Sequence, residues 1–346
     1  MPLPIYSLSI AARAILDTHS LNNEGGEGNQ IQTRMLDILD YKGTLHNVNA
    51  ISGDMLKHIQ TEHLFAIARE QGCALCAGCQ QFSANRINAD EAWMAHIKEK
   101  SDVEALDSLL TTCVMDDLAG ILVTAGGRSL PRKSVVEFGW VLGLPETTHT
   151  DNYFHVKYAN ERSDAQRERD ATRRVRENRE TKEKTGGGNL QQAIFHRPTS
   201  SGIYAFVCNV EFARIGYNDI AQRYTLSEEE RLRRGQLLLQ SVLYTFVQLN
   251  GAMRSTQLPH LVSLEGVLSW STKVQPAPLV SPLMGGQQDR ETYRSQTAAL
   301  AKALGDEGTI QAVNFESLAG FAEEMSTLRK NAQPFTLRVN SSRMDG

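Results

Sequence analysis

The sequence predicts an α+β chain, on three observations: an apolar opening strand, two long amphipathic helices far apart, and strand-like runs between and after them. Ile5 to Ile15 is rich in apolar and small residues with partial alternation, and reads as the first strand. Ser52 suits an N-cap, and Met55, Leu56, Ile59, Leu64, Phe65, Ile67 and Ala68 then form a helical stripe to Arg69, with Gly72 placed to end it. A second helix covers roughly Ala89 to Leu110. Strand patterns follow at Leu118–Thr124, Val135–Leu142 and Tyr153–Tyr158. Leu190 to Phe206 reads as a hairpin turning at Pro198–Gly202. Ser227 and Glu230 form a capping box before a strong helix to Leu249. Leu261–Ser269 is a further strand, with helices at Arg290–Leu304 and Glu316–Arg329. The order strand, helix, strands, helix, strand is compatible with a ferredoxin-like βαββαβ core whose two helices share one sheet face.

Two stretches break this pattern. Leu21 to Asn29 (Leu-Asn-Asn-Glu-Gly-Gly-Glu-Gly-Asn) has no periodicity and supplies exposed amides, so it reads as an elaborate loop. Glu161 to Lys184 carries nine Lys/Arg and seven Asp/Glu and almost no apolar side chain, so it cannot bury itself. It reads as a solvated insertion.

Composition narrows the function classes. The chain has 346 residues, a net charge of −4, 41% hydrophobic and 22% charged residues. That is an ordinary globular balance, and it excludes nucleic-acid binding by bulk positive charge. Any such site must be a local patch. The N-terminus shows no secretory signal. The longest uncharged stretch, Gly235–Met253, contains Gln236, Gln240, Gln248 and Asn250 and reads as a buried helix, so no membrane partner is expected. Five cysteines, three of them crowded, point to a reducing compartment, the cytoplasm by default.

The cysteine cluster is the sharpest chemical signal. Cys73, Cys76 and Cys79 are spaced so that their thiolates can converge on one tetrahedral ion. A fourth ligand is available from His58 or His63. These lie about 500° apart around a helix, so only one can face the cluster. His63 is nearer, and the expectation is a structural Cys₃His zinc at His63, Cys73, Cys76 and Cys79. An iron–sulfur cluster lacks a fourth cysteine, since Cys113 and Cys208 are remote in sequence. No P-loop, G-x-S-x-G or H-E-x-x-H motif is present. Asp116-Asp117 is a candidate carboxylate pair, although acids at a helix end or strand edge are the plainer reading. Glu24 and Glu27 have nothing nearby to complete a metal site. Basic loop positions are more suggestive. Arg128 to Ser134 holds Arg128, Arg132 and Lys133 without an acid, Gly251–Gln257 offers Arg254 and Ser255, and Lys57 follows the Ser52-Gly53 helix start. Helix N-termini, exposed amides and cationic side chains together make phosphate sites.

The chain resembles the backbone subunit of the CRISPR-associated Cascade complex, in the DevR-like autoregulator branch. The resemblance rests on the first strand followed by Leu21–Asn29, then Val48-Asn49-Ala50-Ile51-Ser52-Gly53-Asp54-Met55-Leu56-Lys57-His58, Asp117–Val123, Arg132-Lys133-Ser134 and the Gly251–Ser255 loop. It covers roughly residues 5–270. It implies a modified RNA-recognition-motif (ferredoxin-like) core with inserted finger and thumb elements, as a single elaborated domain over residues 1–346. The finger-like region would span about 73–150, and the charged insertion with a thumb-like hairpin about 159–206. It also implies antiviral defence: copies lined along a crRNA, contacting neighbouring copies and other Cascade subunits, and presenting the RNA to a target DNA strand. Ser52, Lys57, Arg132 and Arg254 would touch phosphates, with Arg128, Lys133 and Ser255 beside them. Asn22, Asn23 and Asn29 would line the groove, and Ile194 or Phe195 would wedge between bases. Related subunits that cut target RNA use a loop Asp. None lies between Leu21 and Asn29, so no cleavage is expected. The rivals are a metal-dependent RNA nuclease and a stand-alone nucleic-acid-binding autoregulator.

Overall fold

The computed structural model describes residues 3–27, 30–124, 127–158, 192–284, 291–306 and 308–338. Its principal elements are β1 (Ser7–His19), β2 (Leu45–Ile51), α1 (Gly53–Glu70), α2 (Asp102–Thr112), α3 (Val114–Ala119), β3 (Val136–Phe138), β4 (Val141–Gly143), β5 (His149–Tyr158), β6 (Gln192–Val210), α4 (Glu228–Val247), β7 (His260–Ser271), α5 (Thr292–Leu304), β8 (Ile310–Phe315) and α6 (Leu318–Asn331). The α+β expectation holds. A large, mainly antiparallel sheet runs β8-β7-β1-β6-β4-β2 and then Met35–Leu39, while β3 and β5 also pair with β6.

β1 is an interior strand, paired on both sides by β7 and β6, and its sequence shows why. Alternate side chains of a strand point to opposite faces. Leu8, Ile10, Ala12, Ala14 and Leu16 enter the main core, which α1, α4 and α6 complete. Ser9, Ala11 and Arg13 point the other way. There Arg13 Nε donates to Pro282 O at 2.8 Å, and Ala11 packs with Val267 and with Tyr293 of α5. On the core side α1 and α4 lie against each other, with Gln60 Nε2 donating to Ser241 Oγ at 2.8 Å in a fully buried contact.

Several boundaries differ from the sequence reading. The helix expected over 89–110 breaks at Ser101, which caps α2 in a reciprocal box with Glu104. The expected 118–124 strand begins as α3 and becomes a strand only at Ile121–Val123. The 135–142 strand is split into β3 and β4 at Gly139-Trp140. Ser227 caps α4 by accepting from the Glu230 N–H at 3.2 Å, but the Glu230 carboxylate turns to Arg234 at 2.8 Å. The Leu21–Asn29 stretch is not all loop: Asn23–Glu27 pairs with Gln30–Thr33. Met35–Leu39 and β2 form a ribbon that the sequence reading missed.

The hairpin turn expected at Pro198–Gly202 is absent. β6 runs unbroken through it, and the strand it folds against is β5, with Pro198 opposite Asn152. Pairing with β1 starts only at Ser200, so Pro198 lacks that neighbour and its missing N–H is tolerated, as at a sheet edge. Gly202 sits at a register shift between Ser200 and Gly202, where a bulge and not a reversal uses its freedom. The charged segment at 160–184 lies outside the described residues. The described residues of 73–132 lie off the main sheet as short helices and a small ribbon, and the chain rejoins the sheet at Val136.

Candidate nucleic-acid interface and metal centre

The start of α1 is held from two sides. Ser52 Oγ accepts from the Met55 N–H at 3.1 Å, and Asn22 Oδ1 accepts from the Ser52 N–H at 2.9 Å. Gly53 follows because a Cβ there would stand 2.5 Å from the Phe138 carbonyl oxygen, and only glycine permits this approach to the bend between β3 and β4. One turn on, Lys57 Nζ donates to Ser134 Oγ and, at 3.0 Å, to Val136 O. Desolvation lowers Lys57 to about 7. Ser52, Gly53, Lys57, Ser134 and Val136 line an open cleft of about 420 Å³ with Asp54, Glu137 and Trp140. Trp140 is 39% exposed, and the Arg34 guanidinium lies 5.5 Å from its ring centre. Arg34 in turn pairs with Glu24.

The loop after α4 joins this surface. The Ala252 N–H donates to Leu21 O at 3.2 Å, and a Cβ on Gly251 would meet Leu21 Cδ2 at 2.4 Å. Arg254 and Ser255 are therefore carried, exposed, to the side of Leu21-Asn22, with Arg254 3.9 Å from Glu62. The structure thus brings together Asn22, Ser52, Lys57 and the 251–255 loop. Asn23 lies nearby, its Oδ1 accepting from Ser20 Oγ at 2.8 Å. Asn29 lies outside the described residues. Ile194 and Phe195 stand on β6 opposite Val156 and His155, but their side chains lie outside the described residues. On the facing strand Phe154 is 69% exposed, its ring 4.6 Å from that of His196.

Within the Arg128–Ser134 stretch, the expected phosphate contact by Arg132 is corrected. Arg132 is fully buried, with Asp117 at 2.6 Å and Asp219 at 3.0 Å, and it also donates to the carbonyls of Tyr217 and Arg214. A guanidinium so enclosed cannot reach a phosphate. Arg128 donates to Lys100 O at 2.5 Å and faces Asp102 at 3.4 Å. Lys133 is exposed but lies between Glu137 and Glu211. Asp117 is the hub of this node, since it also takes Arg234 at 2.8 Å.

The thiols gather differently from the expected set. Cys76 and Cys79 meet Cys113 and Asp116, with all four ligand atoms within 4.8 Å of one another and all four residues buried. Cys73 is partly exposed and outside the group. His63 faces α4 instead, its Nε2 3.0 Å from Gln248 O and its ring 6.0 Å from that of Tyr244, while the exposed His58 lies against Phe82. Burial, with the Cys113 thiol next to it, pushes Asp116 up to about 8. Asp116 and Asp117 are adjacent in α3, about 100° apart around its axis, and so serve two different clusters.

The model of a family described as "CRISPR-associated negative auto-regulator DevR/Csa2" matches residues 10–292. The chain belongs to the DevR/Csa2 family. No curated protein matches it. Similar solved structures include two chains described as from a "CRISPR RNA-guided surveillance complex". The one marked "pre-nicking" is 10% identical, with 94% of this chain and 100% of that chain covered and a TM-score of 0.49. The other is 11% identical, with 94% and 98% covered and the same score. Thermofilum pendens Csc2 is 12% identical, with 95% and 87% covered and a score of 0.39. At TM-scores under 0.5 these likenesses add nothing to the family match.

For this DevR/Csa2 chain, sequence reasoning missed Trp140 and Arg34 at the cleft, and Cys113 and Asp116 at the thiols. An exposed aromatic is no different in sequence from a core one. Cys113 lies 34 residues after Cys79, and no local spacing joins them. Among the described residues no helix is long and apolar enough to cross a membrane.

Proposed function

We propose that this DevR/Csa2-family protein is a repeating subunit of a type I CRISPR effector (Cascade) that holds a crRNA by its backbone and presents it for pairing with a target DNA strand. The observation that carries this reading is the surface strip where the α1 N-terminus, Lys57, Trp140 and the exposed Arg254-Ser255 loop converge from distant stretches of chain, with the buried Asn22 holding the helix start from beneath. Amides, hydroxyls and cations suit phosphates, and an exposed indole suits an unstacked base of any identity. Such contacts read backbone and shape while pairing reads sequence. The core supports the same reading. β7, β1, β6 and the β3–β4 pair lie side by side, with α1 following the first strand and α4 following the third, the order of a ferredoxin-like or RNA-recognition-motif sheet. Neighbouring copies and other Cascade subunits are its expected partners.

The reading assigns no cleavage. Of the acids a nuclease could use, Asp117 is held by Arg132 and Arg234, Asp116 lies among thiols and Glu24 pairs with Arg34, while the Glu27 side chain lies outside the described residues. A second reading is favoured by the family's own description as a negative auto-regulator: a free protein that binds its operator or transcript. Purification from cells expressing a repeat–spacer RNA separates the two. The effector reading expects a large oligomer carrying an RNA of discrete length. A nucleic-acid-free monomer that binds its own promoter duplex would overturn it. Mg²⁺-dependent RNA cleavage lost in Glu24→Gln would restore the nuclease.

A further inference from the structure

We infer that Cys76, Cys79, Cys113 and Asp116 form a structural zinc site that fastens the helical excursion of residues 73–119. This is independent of the RNA reading. The four donors come from two stretches of chain. Cys76 caps a short helix over Ala77–Gln80 and Cys79 lies within it, where the Cys79 N–H donates to Cys76 Sγ at 3.3 Å and turns both thiols the same way. Cys113 caps α3, and Asp116 lies one turn into it. The Val114 N–H donates to Ala74 O at 3.0 Å and so draws the two stretches together.

The distances suit one tetrahedral ion. Bonds of about 2.3 Å to sulfur and 2.1 Å to oxygen, at the tetrahedral angle, place the two donors about 3.6 Å apart. Asp116 Oδ2 lies 3.3 Å from Cys76 Sγ and 3.7 Å from Cys79 Sγ. A second, independent observation is the other carboxylate oxygen. Asp116 is fully buried, and its Oδ1 has no hydrogen-bond partner. A buried carboxyl group among thiols, with one oxygen unmatched, is costly, and a cation held there would satisfy it. Three thiolates and one carboxylate favour zinc over magnesium or calcium, which want all-oxygen shells, and over an iron–sulfur cluster, which wants four sulfurs. Binding releases the thiol protons to solvent. The site is closed on all sides, so the ion would be structural. Its neighbour in α3 is Asp117, and the metal would thereby fix the angle at which Asp117 meets Arg132 and Arg234.

The test is elemental analysis of the full-length protein, followed by cobalt(II) exchange. We expect about one zinc per chain, and in the cobalt form a sulfur-to-metal charge-transfer band with the intense visible bands of a tetrahedral site. Cys113→Ser and Asp116→Asn should each lose most of the metal, whereas Cys73→Ser and His63→Ala keep it. Because the first two variants can fail to fold, X-ray absorption of the wild-type zinc edge gives a separate reading, with about three sulfurs and one oxygen expected. Zinc-free wild-type protein that also shows no cobalt spectrum would overturn the site. So would metal that survives Cys113→Ser but leaves with Cys73→Ser or His63→Ala, or a shell containing imidazole.

Discussion

Arg132 and Arg254 occupy similar sequence contexts, each in a short polar stretch next to hydroxyl residues, yet the fold treats them oppositely. Arg132 is sealed inside the fold, where Asp117 and Asp219 neutralise it and three backbone carbonyls take its N–H groups. Arg254 stands in water, its nearest acid 3.9 Å away. One cluster holds the excursion to the body, and the other is free to meet a ligand. The difference shows that local charge pattern marks polar chemistry but not its use. Use is decided by which distant stretches of chain fold around the residue.

The largest effect should come from breaking the buried node. Asp117→Ala leaves Arg132 and Arg234 buried without their shared partner and should cost about 3–5 kcal/mol, read by urea unfolding, while the folded fraction keeps its RNA affinity. Next comes the strip. Trp140→Ala removes a stacking face worth about 1–3 kcal/mol per base, so RNA affinity should fall roughly tenfold or more by fluorescence anisotropy, with the melting temperature almost unchanged. If both variants lose stability and neither loses affinity specifically, the two regions do not differ as described.

Lys57 sharpens the contrast through pH. Its folded value of about 7 lies below that of the unfolded chain, near 10.4. The unfolded state therefore binds more protons between these values, and this group's contribution to stability rises with pH across that window and is flat outside it. RNA affinity should move in the other sense, strongest where Lys57 is charged and weakening as pH rises through about 7. Lys57→Met should flatten the binding profile, which titration of anisotropy against pH would show. The smallest effect is that of Arg254→Ala. It should lower the slope of log affinity against log salt by about 0.7, the value for one phosphate contact on a single strand.

Much of the fold is legible where the signal is local. Ser52 and Ser227 cap the two long helices, and the stripe from Met55 to Ala68 ends as expected near Gly72. Local signals fail where distant chain decides. Pro198 and Gly202 carry a turn signature, but partial pairing and a bulge use the same residues inside one strand. His63 was the nearer histidine in sequence, yet its face of α1 belongs to α4. Cys113 and Asp116 have no motif connecting them to Cys76. Of the strip, the helix start and the 251–255 loop can be read from sequence, whereas Trp140 enters only because β3 and β4 break beside Gly53.

The central claim is that RNA lies along the α1 N-terminus and the loop after α4. Ultraviolet cross-linking of the purified RNA-bound protein, with the modified peptides mapped by mass spectrometry, tests it most directly. Adducts at Trp140 and in the peptide carrying Arg254 and Ser255 are the predicted result. Adducts confined to the α5 face around Pro282, with the cleft peptides unmodified, would contradict it.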